Sequence, residues 1–126
     1  FTDTPATELS PGEELIYRIT YTNISEGAPA GGGGNILLNA NSFTLVENGN
    51  AATNNGTNNW ATTTLHQTGT TADAGTVEYF NGGTSLGNTD PADETTAPSL
   101  VTVYENEVGT VAPGVTGAMT FTRQVQ

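Results

Sequence analysis

The stretch LSPGEELIYRITYTNIS, residues 9–25, decides the fold. From Glu13 to Ile24 apolar and polar side chains alternate. Leu15, Tyr17, Ile19 and Tyr21 fall on one face; Ile16, Arg18, Thr20 and Thr22 fall on the other. A period of two marks a half-buried β-strand, because successive side chains leave the pleated backbone on opposite sides. Pro11-Gly12 ahead of it is turn chemistry: Pro presets one φ and Gly accepts a positive one. The first face is the expected core face. Thr and Arg on the second suit solvent or a neighbouring chain.

The same device returns at the far end. APGVTGAMTFTRQVQ, residues 112–126, reads Pro-Gly, a short spacer, then alternation at Met119, Phe121, Arg123 and Val125. Between the two ends lie strand-like regions at 35–46, 60–69, 76–80 and 100–111. Gly, Asn and Pro clusters separate them: EGAPAGGGG (26–34), ENGNAATNNGTNN (47–59) and NTDPADETTAPS (88–99). No window carries a helical period. The pattern predicts an all-β, antiparallel β-sandwich of about seven strands with long Gly/Asn/Thr-rich loops. Residues 1–10 read as an extended N-terminal tail and 11–126 as the sandwich domain. Leu15, Tyr17, Ile19, Tyr21, Leu37, Val77, Tyr79, Val101, Val103, Met119 and Phe121 are the expected core. Pairing of sequential strands would leave exposed sheet edges.

Composition narrows the function. The 126 residues are 34% hydrophobic, low for a globular chain, and Thr, Asn and Gly fill the difference. Thirteen acids against two arginines, Arg18 and Arg123, give a net charge of −11 with no lysine. Phosphate backbones and anionic membranes repel such a surface, so nucleic acid is not an expected partner. No apolar run approaches the length of a membrane span, so membrane insertion is not expected. The absence of cysteine removes a disulfide scaffold and a thiolate metal site. The absence of lysine removes a Lys–Asn isopeptide staple. The first residue is Phe1 rather than Met, which reads as a processed mature form or an excised piece of an extracellular or cell-surface protein.

SPGEELIYRITYTNIS and VGTVAPGVTGAMTFTRQV together resemble the opening and closing strands of a surface-protein repeat known as domain of unknown function 11. The resemblance implies an immunoglobulin-like sandwich from a large secreted or cell-surface protein of bacteria or archaea. It implies no catalytic residues.

Several residues invite a chemical reading. His66 is the only histidine. A hydrolase would pair it with Ser42, Ser85 or Ser99 and an acid, but no Gly-x-Ser-x-Gly elbow is present, so His66 reads as an ordinary strand residue and no enzyme is expected. Asp90, Asp93 and Glu94 share one loop and offer hard oxygen ligands suited to Ca²⁺, without EF-hand spacing. Trp60, Tyr79, Phe80 and Tyr104 could form a stacking platform for a surface polysaccharide; the alternative is that they fill the core. Asn23 and Asn55 begin glycosylation sequons.

The tail FTDTPATELS carries apolar Phe1, Ala6 and Leu9 along an extended, Thr- and Pro-rich run. These three are the expected intersubunit contacts of a homopolymer built by strand donation, in which an extended segment completes a neighbour's sheet. The expected function is therefore a structural subunit of an extracellular microbial filament or surface matrix. The alternatives are a repeat of a large surface protein or adhesin stalk, and a carbohydrate-binding module. At −11 per subunit, divalent cations should promote association by relieving repulsion. Light scattering with and without a chelator tests this, and assembly indifferent to the chelator removes the cations' role.

Overall fold

A computed structural model describes residues 9–27, 36–50 and 59–126. Seven strands are present: β1 (Glu14–Thr22), β2 (Ala40–Asn48), β3 (Thr64–Ala72), β4 (Thr76–Asn81), β5 (Thr84–Gly87), β6 (Val103–Val111) and β7 (Thr116–Val125). A single helical turn, α1 (Trp60–Thr63), leads into β3 where strand had been expected from Trp60. The strands form two antiparallel sheets, ordered β1-β7-β3 and β2-β6-β4-β5. The chain is an all-β sandwich. Consecutive strands mostly do not pair: β4–β5, joined by a Gly82-Gly83 turn, is the only sequential pair among the described strands. The two Pro-Gly strands at the chain's ends, β1 and β7, instead pair with each other, Tyr17 opposite Phe121 and Ile19 opposite Met119.

The core grows from the alternation. Met119, Phe121, Tyr79, Val101 and Val103 are buried, and Tyr104 and Trp60 join them. Tyr17 stacks on Phe121 at 4.9 Å between centroids, and Phe121 on Tyr104 at 4.2 Å. Leu15, Tyr17, Ile19, Tyr21 and Val77 reach only half burial. Leu37 is not core: it is 58% exposed. The strand there starts only at Ala40, so Ile36, Leu37 and Leu38 lie in the connection, where no sheet face covers them.

Trp60 is seated by three features. Its Nε1–H donates to Glu47 Oε1 at 2.9 Å, the Arg123 guanidinium lies 4.5 Å over its ring, and the backbone of Gly49 runs flat against the indole. A Cβ at Gly49 would collide with the ring itself. Gly49→Ala should therefore cost about 1–3 kcal/mol as the indole is forced off its rotamer. Thermal unfolding measures it; an unchanged Tm would mean that the Trp60 pocket yields freely.

Candidate functional site

The two sides of the sandwich are built differently. On one side β3 and β4 meet, with His66 5.8 Å from Tyr79. On the other β1 and β2 meet, with Tyr21 5.1 Å from Phe43. The difference between these sides is where the candidate site lies.

On the β3 side the edge is sealed by acids. Leu65, Gln67 and Thr71 sit opposite Gln124, Thr122 and Thr120 of β7. By the alternation of an antiparallel ladder, the backbone groups of His66, Thr68 and Thr70 point away from β7. Each of their N–H groups meets a carboxylate. His66 N–H donates to Glu94 Oε2 at 2.9 Å, Thr68 N–H to Asp93 Oδ1 at 2.7 Å, and Thr70 N–H to Asp90 Oδ2 at 3.1 Å. Gly69 N–H also reaches Asp90 Oδ2, at 2.8 Å, and Glu94 N–H returns to the His66 carbonyl. The loop 88–99 thus does the work of a fourth strand with side-chain oxygens. This is the place of the Ca²⁺ expectation. The three acids are strung along the strand edge with their oxygens turned to N–H donors, and among the described residues no group of three or more His, Asp or Glu converges as a metal centre.

Behind the loop lies a buried polar network. Arg123 is fully buried, on the inward face with Met119 and Phe121 as its position in the alternation requires. Its five N–H groups find five neutral acceptors: Thr64 Oγ1, the Thr64 carbonyl, the Val101 carbonyl, Tyr104 Oη and Ser99 Oγ, at 2.8–3.2 Å. Negative charge arrives one step further out, where Ser99 Oγ donates to Glu94 Oε2 at 2.5 Å. Glu94 also accepts the N–H groups of Leu100 and Val101. Because Arg123 donates to Tyr104 Oη, the Tyr104 proton goes to His66 Nδ1 at 2.9 Å, and His66 Nε2–H to the Pro91 carbonyl at 3.1 Å. His66 is fully buried, and its ring meets a tyrosine, a carbonyl and, 3.4 Å from Nε2, the Asp90 carboxylate rather than a serine.

The other predicted residues fall as follows. Trp60, Tyr79 and Tyr104 are buried and Phe80 is half-buried, so these aromatics fill the interior rather than form an exposed platform. The Asn23 carboxamide is a clamp: Nδ2 donates to the Leu38 and Val111 carbonyls at 2.8 Å, and Oδ1 accepts Ser25 N–H. A glycan there would break that clamp. Asn55, Phe1 and Ala6 lie outside the described residues. Leu9 rests at the rim of a cleft of its own chain, about 420 Å³, with Leu15, Tyr17, Trp60 and Val125.

The β1–β2 side carries no such seal among the described residues. β1 and β2 are the edge strands of their sheets. Val125 N–H donates to the Glu13 carbonyl and Asn23 N–H to the Val115 carbonyl, so the odd residues of β1 face β7. The even residues, Glu14 to Thr22, direct their backbone groups toward the open edge. Leu15, Tyr17, Ile19 and Tyr21 on β1, with Phe43 and Leu45 on β2, line this seam half-buried. A second cleft, about 80 Å³, opens at its far end among Tyr21, Ala40, Phe43 and Val111. Ile24, Ile36, Leu37 and Leu38, all more than half exposed, cluster beside it on segments tied by the Asn23 clamp and by the Leu38 N–H to Ser25 Oγ bond. No protein family, curated protein or solved structure matches this chain.

Acid should loosen the sealed side. Burial holds His66 below its usual value of 6.5, so below about pH 6.5 the unfolded chain takes up that proton first and stability falls until the folded value is passed. Glu94 lies below 4.5 despite its burial, through the bonds from Ser99, His66, Val101 and Leu100; Asp93 lies below 3.8 through Thr68. Their stabilisation is present above those values and is lost as pH falls further. All three act in one direction but in turn: between pH 7 and pH 3, Tm should fall first below about pH 6.5 through His66, and again below about pH 4.5 through Glu94 and then Asp93. A flat profile over that range would contradict the network.

Proposed function

We propose that this protein is a structural subunit of an extracellular microbial filament or surface matrix, assembled by β-strand addition between copies. The observation that carries the reading is the asymmetry of the sandwich. Three strands face four, one flank of the smaller sheet is closed by its own carboxylates, and the other presents an edge strand over half-buried apolar side chains. An unpaired strand edge is a template for another chain, and exposed apolar clusters of the Ile24–Leu38 kind mark interaction surfaces. If the strand added at the β1 edge comes from a different part of the second copy, the contact is head-to-tail. A head-to-tail contact of that sort does not close on itself and propagates as a fibre.

The extracellular placement is supported by composition: an acidic, Cys-free, Thr/Asn/Gly-rich sandwich without lysine. Covering what remains exposed of the half-buried Tyr17, Tyr21 and Phe43 by a neighbour would contribute about 25 cal/mol for each Å² of apolar surface removed from water. That contribution opposes the repulsion of like-charged subunits.

Electron microscopy of the purified chain at neutral pH should show fibres, and persistent monomers would refute the reading. Thr20→Pro is the matching variant. Thr20 directs its N–H to the open edge, so proline there removes no bond to β7. It should leave a folded sandwich that no longer assembles; fibres of Thr20→Pro would show that the β1 edge is not used.

A further inference from the structure

We infer that Thr102 guards two deamidation sites, Asn48 and Asn81, and that Asn81 is the one the folded chain leaves open to slow conversion. The inference goes beyond the assembly reading and does not depend on whether copies associate.

The fold places a glycine after each of these asparagines, which are the last residues of β2 and β4. Gly49 runs flat against the Trp60 indole, and a Cβ there would meet the ring. Gly82 opens the two-residue β4–β5 loop with a φ of 58°, as the first position of such a loop requires. Asn-Gly is the pair in which an asparagine most readily loses its amide, because glycine has no side chain to shield its nitrogen. That nitrogen gives up its proton and attacks the Asn Cγ. A new C–N bond closes a succinimide ring, the carboxamide C–N bond breaks, and ammonia leaves with the proton. Water then opens the ring to aspartate, or to isoaspartate with the main chain rerouted through the side chain. A third such pair, Asn55-Gly56, lies outside the described residues.

Both glycine nitrogens are held by one residue. Thr102 lies just before β6, and the next residue, Val103, is paired with Asn48 on one side and Phe80 on the other. Gly49 N–H donates to the Thr102 carbonyl at 3.0 Å, and Gly82 N–H to Thr102 Oγ1 at 2.7 Å. Thr102 is fixed in turn: its N–H donates to the Phe80 carbonyl at 2.8 Å, and its hydroxyl to the same carbonyl at 3.3 Å. Ring closure requires each glycine nitrogen to swing toward its own Asn Cγ and to lose the proton engaged with Thr102. Each bond to Thr102 must therefore open before the chemistry starts.

The two guards differ in strength. Gly49 is buried, its acceptor is a main-chain carbonyl, and the indole covers it. The Asn48 carboxamide is engaged as well, with Oδ1 accepting Asn50 N–H at 2.9 Å. Freeing the Gly49 nitrogen means undoing the Trp60 seat. Asn81 and Gly82 are exposed at a hairpin tip, where local opening costs least, and a single hydroxyl holds the Gly82 N–H. Asn81 and Thr102 also line a surface cleft of about 590 Å³, through which water reaches the ring. The consequences differ in the same sense. Isoaspartate at residue 81 lengthens the main chain at a turn, whereas at residue 48 it would break the β2–β6 register beside the indole.

Peptide mapping by mass spectrometry tests this on the chain aged at mildly alkaline pH, folded and in urea. In urea the two sites should convert at similar rates. In the folded chain both should slow, Asn48 more than Asn81. Thr102→Val removes the Oγ1 acceptor and keeps the carbonyl. Asn81 should then convert roughly two- to tenfold faster than in the unaltered chain, the worth of one hydrogen bond, with Asn48 unchanged. Conversion of either site in the folded chain at its urea rate would overturn the inference, as would Asn48 converting ahead of Asn81. So would a folded Thr102→Val chain in which Asn81 keeps its original rate, or in which both sites quicken together. Should that variant fail to fold, the comparison of folded and urea rates in the unaltered chain decides alone.

Discussion

The structure depends on how a single guanidinium is kept in the core. Arg123 sits on the inward face of the central strand of its sheet, where full burial of a charge is expensive unless every donor is met. Among the described residues no carboxylate pairs with it. Its partners are main-chain carbonyls and hydroxyls from the start of β3 and from residues 99–104 at the entry to β6, so one side chain ties β7 to two parts of the chain that are distant in sequence. The compensating charge is held at arm's length by Ser99, which places Glu94 at the edge of β3 rather than in the interior. A second path runs from Arg123 through Tyr104 to His66 and out to Pro91. Both paths end in the loop that covers β3. The buried charge and the sealed edge are therefore one arrangement.

That arrangement gives the sandwich a direction. A three-stranded sheet has two flanks, and each presents unpaired backbone groups that are hydrated, covered by the chain itself or paired with another strand. On the β3 flank, three acids replace a strand at the cost of a loop fixed by the Arg123 network. On the β1 flank the inward residues are as apolar as those of β7 yet remain half exposed. The sheets also end differently within the larger layer, where β5 is only four residues long, too short to serve as a long template. Of the edges described, β1 combines length, regular alternation and uncovered apolar side chains.

Much of this was legible in the sequence, and what was not has physical reasons. The alternation from Leu15 to Tyr21 and from Met119 to Val125 placed both strands and their inward faces, because a period of two survives any tertiary context that buries one face. The same alternation put Arg123 inward, but its partners come from residues 64 to 104 and local pattern cannot show them. Leu37 misled because an apolar run carries no sign of where pairing begins; β2 starts three residues later. Asp90, Asp93 and Glu94 read as cation ligands because a sequence shows that acids are neighbours and not which way they face. Their alternating targets at His66, Thr68 and Thr70 appear only once β3 is known to be an edge. Gly49 gave no signal beyond turn chemistry, since the indole it accommodates lies eleven residues on.

The charge balance bears on the proposed assembly. At physiological ionic strength exposed charges act over about 8 Å, so subunits carrying −11 repel most strongly just before contact. Association under those conditions favours short-range terms: main-chain hydrogen bonds and the removal of apolar surface from water, neither of which depends on net charge. A strand edge supplies both along one line.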